Sequence, residues 1–167
     1  MNNAATQILG GLETLEISQW DETIDVNLLA PFKLCQLFFD DLKSARGCVI
    51  NISSIHASLT KKDFLAYSTS KAALSAMTRA MAIDVGDDIR VNAIEPAAID
   101  TPMLREGFKD NKKGLEELRH FHPQNKIGTP LEVAQLVKAI ASGDFEFLHG
   151  SCISLDGGIG AKLHDPI

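Results

Sequence analysis

The sequence contains no uninterrupted run of about 18 apolar residues, so we expect no segment that spans a bilayer. Its first residues, Met1 to Ala5, lack the basic and then apolar pattern of a secretory signal. An excess of positive charge is also absent, because the formal net charge is −6. This acidic balance argues against nucleic acid or an anionic membrane as the partner.

Cysteine is scarce, and the cysteines show no spacing typical of a metal site. Cys35, Cys48 and Cys152 lie within apolar segments and are odd in number, which predicts buried free thiols in a reducing cytosol. His120 and His122 lie close together, but no second pair and no nearby cysteine accompanies them. We therefore predict no metal site and a cytoplasmic location.

The composition is that of a folded globular protein. Apolar residues make up 45% and charged residues 23% of the 167 residues, which is ordinary for a chain with a hydrophobic core. At this length we expect one domain, residues 1–167. No internal repeat, low-complexity tract or linker divides it.

The stretch that ends at Lys71 carries the strongest indication of chemistry. Tyr67 and Lys71 are four residues apart, so in a helix they lie on the same side, one turn from each other. A nearby ammonium favours the phenolate, and Lys71 is therefore expected to lower the pKa of Tyr67 from its usual value of about 10. The apolar run 48–52 predicts a buried strand that presents Ser54 at its carboxyl end, where open α/β sheets bind ligands.

The order of these residues resembles the active site of the short-chain dehydrogenase/reductase family. Ser54, Tyr67 and Lys71 are followed by Ala72-Ala73-Leu74, as in that family. The resemblance implies an NAD(P)-dependent oxidoreductase that transfers a hydride between a nicotinamide and a carbonyl or alcohol carbon. Tyr67 would then donate or remove the proton and also contact the cofactor, Lys71 would lower the Tyr67 pKa and hold the nicotinamide ribose, and Ser54 would hydrogen-bond the substrate oxygen.

Pro31 lies within the first long predicted helix, which has a capping pattern from Ser18 to Asp21 and continues toward Leu42. Because proline has no N–H, the carbonyl of Asn27 loses its usual helical partner. Asn27 also matches the asparagine of the family's Asn-Leu pair, whose main-chain carbonyl holds a water in a proton relay. The resemblance therefore implies that Asn27 is a fourth catalytic residue.

Two further segments resemble cofactor-binding motifs of the family. The segment 2–5 is similar to the Asn-Asn-Ala-Gly motif that ends the fourth strand, which implies that Asn3 contacts the cofactor and braces the central strands. The segment 95–103 is similar to the Pro-Gly…Thr-Pro-Met motif. There the main chain at Ile99 would pair with the nicotinamide carboxamide, and Thr101 would contact the carboxamide or the diphosphate.

Local signals also predict where elements begin and end. Thr101 and Thr129, each followed by proline, have the pattern of a helix N-cap with proline at the first helical position. Gly86 stands where the helix 66–85 needs a left-handed end. Ala97 replaces the family's glycine, so we expect either strain of about 1 kcal/mol at a positive φ or a shifted loop.

The polar segment 104–124 corresponds to the loop that closes over such a site and sets specificity. The charges of this segment do not select a substrate class. The resemblance implies only that the substrate is a small carbonyl or alcohol compound. In the family, the outer face of the helix 66–85 packs against a second subunit, which Ala73, Ala76 and Ala80 would permit. The resemblance therefore implies a homo-oligomer.

The nucleotide-binding half of the family is missing from this sequence. No Gly-x-x-x-Gly-x-Gly string and no acidic ribose partner is present. The resemblance therefore implies NAD or NADP as the cofactor, and the sequence does not distinguish between the two. The expected fold is α/β, a partial Rossmann-like doubly wound parallel sheet that lacks its first strands and its Gly-rich turn. Such a sheet exposes an unpaired edge.

Two other functions remain open. One is a catalytically silent, truncated family member that acts as a binding or subunit-interaction module. The other is a serine hydrolase that uses Ser54 and His56, although the sequence has no Gly-x-Ser-x-Gly elbow. We interpret His56 as a residue that lines the site without a catalytic duty.

Overall fold

The computed structural model describes residues 1–163, and residues 164–167 of the predicted domain lie outside this description. Among residues 1–163, no helix combines the length and the hydropathy that a bilayer-crossing segment requires. In chain order the elements are α1 (Ile17–Ile24), a π-helical turn (Asp25–Leu29), α2 (Ala30–Leu37), α3 (Phe39–Ser44), β1 (Cys48–Ile52), a 3₁₀ turn (Ile55–Ala57), α4 (Leu65–Val85), β2 (Arg90–Pro96), α5 (Pro102–Gly107), α6 (Lys112–Phe121), α7 (Pro130–Ala141), β3 (Cys152–Leu155) and a second 3₁₀ turn (Ile159–Ala161).

The strands form one parallel sheet in the order β1-β2-β3. Val49 pairs with Val91 between β1 and β2, and Ala93 pairs with Cys152 between β2 and β3. Parallel neighbours need a crossover connection, which α4 supplies for the first pair and α7 for the second. The predicted α/β fold with a parallel sheet is therefore confirmed.

Helices cover both faces of this sheet. Successive side chains of a strand point to opposite faces, so each face has its own side chains to bury. The face under α4 and the face under α7 each carry a separate apolar cluster. The first cluster contains Cys35, Val49, Ala82, Ile89 and Val91, and the second contains Ile50, Ile94 and Ile140.

The outer edge of β1 is nearly free of strand partners within residues 1–163. It has a single parallel bridge, between Asn2 and Asn51. The Asn2 amide donates to the Ile50 carbonyl, and the Ile52 amide donates to the Asn2 carbonyl, both at 2.9 Å. The expected open edge is therefore present, and the N-terminal residues mark where a further strand would lie.

The first helix begins slightly earlier than predicted. It starts at Ile17, and the Gln19 side-chain oxygen accepts a hydrogen bond from the Glu16 amide at 3.0 Å. Capping by Ser18 and Asp21 was therefore the wrong assignment. Glu16 occupies the N-cap position here, which the preference for short oxygen side chains did not predict.

This helix is also not continuous. A π-helical turn, Asp25–Leu29, separates α1 from α2, and Pro31 lies directly after it in the first turn of α2. Proline cannot donate to the Asn27 carbonyl, and the extra residue in the π turn is a common response to such a break. The interruption contains Asn27, which becomes important at the site.

Replacing Gly86 with alanine is expected to destabilise the fold by about 1–2 kcal/mol. Gly86 ends α4 with φ +55, and a Cβ there would meet nothing within 4 Å, so the cost is backbone strain alone. Gly107→Ala is the matched control, since that glycine also has open space but no positive φ. Urea denaturation of both variants checks this, and an equal effect of the two would contradict it.

Candidate active site at the carboxyl ends of the strands

The candidate site lies where β1 ends and α4 begins. Ser54 follows β1, and Tyr67 occupies the first turn of α4, so both side chains reach the carboxyl edge of the sheet. Both are nearly buried, with exposed fractions of 6% for Ser54 and 9% for Tyr67. Ser54 lies close enough to the Tyr67 phenol to lower the pKa of that phenol. The structure therefore brings together two hydroxyls that come from different elements.

Lys71 lies one turn after Tyr67 and is also buried. Its Nζ donates to the Ile52 carbonyl at 2.8 Å and lies 5.7 Å from the centroid of the Tyr67 ring. Burial lowers the pKa of Lys71 to about 8, because a charged ammonium is less favourable away from water. Lys71 therefore remains mainly charged at neutral pH, close to the phenol.

The pKa of Tyr67 differs from the sequence-based prediction. Burial raises it above its usual value, because the phenolate loses hydration, and the hydrogen bond from Ser54 opposes this rise. The prediction that Lys71 lowers the Tyr67 pKa was wrong for this arrangement. The ammonium is directed at the Ile52 carbonyl, and the group that favours the phenolate is Ser54.

Tyr67 is the only tyrosine of the chain, so its ionisation can be followed without interference. We expect the phenol to ionise above its usual pKa, and Ser54→Ala to raise this pKa further by removing a hydrogen bond to the phenolate. Ultraviolet titration of tyrosinate absorbance measures both. A pKa below the usual value, or a decrease in the Ser54→Ala variant, would contradict this expectation.

Asn27 is fully buried and joins the π-helical turn to α4. Its side-chain amide donates to the Thr6 carbonyl at 2.9 Å and to the Ser70 hydroxyl at 3.0 Å, while its Oδ1 accepts from the Thr6 amide at 2.8 Å. The Ser70 hydroxyl in turn donates to the Tyr67 carbonyl at 2.7 Å. Asn27 is thus held beside the helix turn that carries Tyr67 and Lys71.

His56 is part of the wall around Tyr67 and does not pair with Ser54 through its ring. The imidazole stacks on Phe64 with ring centroids 4.5 Å apart and meets Tyr67 edge-on at 5.6 Å. Its Nδ1 lies 3.0 Å from the Thr60 hydroxyl, and its backbone amide donates to Ser54. Burial and the Lys61 charge lower the pKa of His56 to about 4. This geometry gives no support to a serine–histidine hydrolase.

The two N-terminal asparagines have different surroundings. Asn2 braces the sheet, because its side-chain amide donates to Asn51 Oδ1 at 2.7 Å in addition to its main-chain bridge. Asn3 is exposed. The sequence-based prediction assigned the bracing to Asn3 and was wrong in this respect. Its suggested contact with a cofactor remains a prediction.

The segment after β2 offers main-chain and side-chain groups at the same edge of the sheet. The Ala98 carbonyl accepts from the Gly128 amide and the Asp100 amide donates to the Gly128 carbonyl, each at 2.9 Å. Since successive groups of an extended chain point to opposite sides, the Ile99 amide faces away from Gly128. The Thr101 hydroxyl accepts from the Leu104 amide at 3.3 Å and keeps its own proton for another partner.

The predicted loop 104–124 is mainly helical, with α5 and α6 both exposed along most of their length. The end of this segment is anchored by His122, which is buried. The His122 ring lies against Gly157. The expected strain at Ala97 does not arise. Among residues 1–163, positive φ outside glycine occurs only at Arg46, Asp63 and Asn125.

The sequence analysis missed several residues that support the site. Ser70 and Thr6 hold Asn27, and Ser53 donates to the Lys71 carbonyl at 2.9 Å. Ser70 had a recognisable signal, since it lies three residues after Tyr67 on the same helix face. Thr6 and Ser53 had none, because their contacts join segments that are distant in sequence.

Known proteins are similar to almost the whole of this chain. The family model described as enoyl-(acyl carrier protein) reductase matches residues 1–160. A 3beta-hydroxysteroid dehydrogenase of Eggerthella lenta is 32% identical over 162 residues, which are 95% of this chain and 62% of that protein.

Solved structures are similar over nearly all of this chain. The ligand-free aldohexose dehydrogenase of Thermoplasma acidophilum has a TM-score of 0.95 at 33% identity, covering 99% of this chain and 68% of that one. ElxO with NADP bound has a TM-score of 0.88 at 26% identity, covering 96% and 66%.

This chain spans only 62% of the length of the Eggerthella lenta dehydrogenase. The family model nonetheless covers residues 1–160, almost the whole chain. The chain therefore belongs to the short-chain dehydrogenase/reductase family.

Proposed function

We propose that this chain carries the catalytic part of an NAD(P)-dependent oxidoreductase, which transfers a hydride between a nicotinamide and a carbonyl or alcohol carbon. The observation that carries the proposal is that the Ser54 and Tyr67 side chains are buried next to each other, with the Lys71 ammonium 5.7 Å from the centroid of the Tyr67 ring. Two neighbouring hydroxyls at the same edge of the sheet can share a single substrate oxygen. Such a pair suits proton transfer to or from that oxygen.

In this proposal Tyr67 is the general acid and base. During reduction its phenol gives a proton to the carbonyl oxygen, and during oxidation the phenolate removes the proton of the alcohol. Ser54 donates a hydrogen bond to the same oxygen, where negative charge changes during the reaction. Burial of both side chains strengthens these interactions, because fewer waters compete with them.

Lys71 and Asn27 support this proton transfer. The Lys71 ammonium is proposed to hold the nicotinamide ribose. The main-chain carbonyl of Asn27 is proposed to hold a relay water, since Pro31 cannot donate to it. The side chain of Asn27 is already occupied by Thr6 and Ser70, so only its main chain is suited to this role.

A nicotinamide cofactor supplies the hydride chemistry. The residues present fit its nicotinamide end, because the Ile99 amide and the Thr101 hydroxyl are donors suited to a carboxamide oxygen or a phosphate. Asn3 is exposed and is proposed as a further contact. This sequence contains no Gly-rich turn for the diphosphate, so the choice between NAD and NADP does not rest on these residues.

Fluorescence titration of the purified chain with NADH and with NADPH tests the proposal. We expect weak binding, because the chain lacks the Gly-rich turn, and a further loss in Lys71→Met, which removes the ammonium. Lys126→Met is the matched control, since Lys126 is exposed and pairs with Glu132. No binding of either nucleotide at millimolar concentration would overturn the proposal and leave the silent binding module as the function.

The proposal includes a homo-oligomer in the cytoplasm. Ala76 and Ala80 are exposed on α4, and Ile83 on the same helix is 84% exposed, so this face has small and apolar side chains available for a second copy. Sedimentation velocity of the wild-type chain and of Ile83→Asp tests the oligomer. A monomer in both would contradict it.

A further inference from the structure

The end of the segment 104–124 contains a buried ring nitrogen without a hydrogen-bond partner. His122 is 2% exposed, and its Nδ1 lies 2.8 Å from the Leu118 carbonyl. A carbonyl oxygen can only accept, so Nδ1 carries the proton of that hydrogen bond. Within residues 1–163, Nε2 of the same ring is the one buried side-chain nitrogen or oxygen that lacks a partner. Because buried polar atoms are nearly always hydrogen-bonded, this nitrogen indicates a bound group that supplies the contact.

The His122 ring borders a small cavity of about 50 Å³. Gly157 lies against the Cβ, Cγ and Cδ2 edge of His122, and Nδ1 is taken by Leu118. The ring atoms left to face the cavity are therefore Cε1 and Nε2. A single water needs about 10–15 Å³ of such space, so the cavity has room for a few water-sized groups.

The charged side chains that line this cavity already have partners. The Lys126 ammonium lies 2.9 Å from Oε1 of Glu132. The carboxylate of Asp156 accepts from the amides of Gly158 and Gly160 at 2.9 and 3.0 Å. No group of three or more histidine, cysteine, aspartate or glutamate side chains in the described part of the chain could hold a metal ion. The lining therefore favours a small neutral ligand.

A hydroxyl group is the neutral group that suits Nε2 in every state of the imidazole ring. It both donates and accepts, so it can bond Nε2 whether this atom has a lone pair or a proton. A primary amine would instead be a cation in neutral solution, without an unpaired anion to meet it. Gln124 is exposed where the cavity opens, and its amide can bond a second hydroxyl of the same ligand.

The cavity lies behind the segment proposed to contact the nicotinamide. Ala98 and Gly128 both line it and are joined by the hydrogen bond of 2.9 Å between the Gly128 amide and the Ala98 carbonyl. The Ile99 amide faces away from Gly128, and none of the four proposed catalytic residues borders the cavity. The cavity is therefore separate from the candidate active site.

We propose that this cavity is a binding site for a small neutral hydroxyl compound, whose hydroxyl group hydrogen-bonds Nε2 of His122. Water and small diols are the two sources of this chemistry, and the experiment separates them. The bound compound connects the end of the segment 104–124 to Gly128 and thereby to the segment 98–101. The site requires neither the cofactor nor the proposed reaction.

The test uses NMR of the wild-type chain labelled with nitrogen-15, without cofactor, and with ethylene glycol as the added probe. The His122 ring signals are assigned by their loss in His122→Phe. We expect cross-relaxation between the Cε1 proton of His122 and either water or the methylene protons of the glycol. A saturable shift of Nε2 with glycol contacts identifies a diol site. A water contact that glycol does not displace identifies a water site.

His120→Phe is the matched control for His122→Phe, because His120 is exposed on α6. Contact of the bound compound with the Gly157 amide proton should persist in His120→Phe and disappear in His122→Phe. Persistence of this contact in His122→Phe would overturn the assignment of His122 as the group that holds the compound.

The wild-type spectrum decides the question even if His122→Phe does not fold. Absence of cross-relaxation from the Cε1 proton of His122 to both water and glycol would overturn the proposal. A glycol effect on His122 that rises linearly, as expected for the exposed His120 ring, would exclude the diol source. Since no cofactor is present, failure of the nicotinamide titration leaves this site intact, and an empty cavity leaves the proposed function intact.

Discussion

Replacing Tyr67 with phenylalanine is expected to lower turnover by about 10²–10⁴-fold, the usual contribution of a general acid or base. The substitution removes the hydroxyl that lies beside Ser54 but keeps the ring that packs edge-on against His56 and Phe64. The change in nicotinamide absorbance with small alcohols and carbonyl compounds measures the effect, under conditions where the wild-type chain turns over.

Two controls test whether the loss of turnover is specific to the Tyr67 hydroxyl. Binding of NADH or NADPH to the Tyr67→Phe variant should stay close to wild type, since the Lys71 ammonium and the segment of Ile99 are untouched. Thr69→Ala, an exposed substitution on the same helix, should keep full turnover. Wild-type turnover in the Tyr67→Phe variant would exclude Tyr67 as the proton donor.

Replacing Asn27 with alanine is expected to destabilise the fold by about 3 kcal/mol, because it removes a fully buried amide and leaves its partners without hydrogen bonds. Both backbone groups of Thr6 and the hydroxyl of Ser70 are affected. For a chain of this size, the melting temperature should fall by roughly 6–12 °C. Urea denaturation followed by the fluorescence of Trp20, the single tryptophan, measures the loss.

Asn3→Ala is the matched control for this substitution. Asn3 is exposed, so the same chemical change there should alter stability by no more than about 0.5 kcal/mol. An Asn27→Ala variant as stable as the Asn3→Ala variant would contradict the buried network. A loss of stability at Asn3 comparable with that at Asn27 would equally contradict the different burial of the two side chains.

Local features of the fold were predicted well because their causes are local. Thr101 and Thr129 cap α5 and α7 with their side-chain oxygens, each followed by proline as the sequence indicates. The apolar run 48–52 forms β1, and Gly86 ends α4 with a positive φ. Each of these signals acts through sterics or hydrogen bonds within a few residues. The neighbouring residues in the sequence are therefore sufficient to predict these features.

The errors concern properties that depend on distant segments. Asn3 was assigned the bracing that belongs to Asn2, because the motif does not say which asparagine faces Asn51. The Tyr67 pKa was predicted from Lys71 alone, whereas desolvation dominates it. Spacing along a helix predicts that two groups are near each other, but it does not predict how much water is left around them.

By itself, the sequence determined which chemical groups exist and at what spacing: a strand-end serine, a tyrosine and lysine one helix turn apart, and an asparagine before a proline. Only the tertiary structure decided which of them touch. Ser54 meets Tyr67, Lys71 faces the Ile52 carbonyl, and Glu95 reaches Ser53 through Ser75. The physical reason is that hydrogen-bond partners and hydration in the interior are set by several segments packed together, and no single stretch of sequence contains that information.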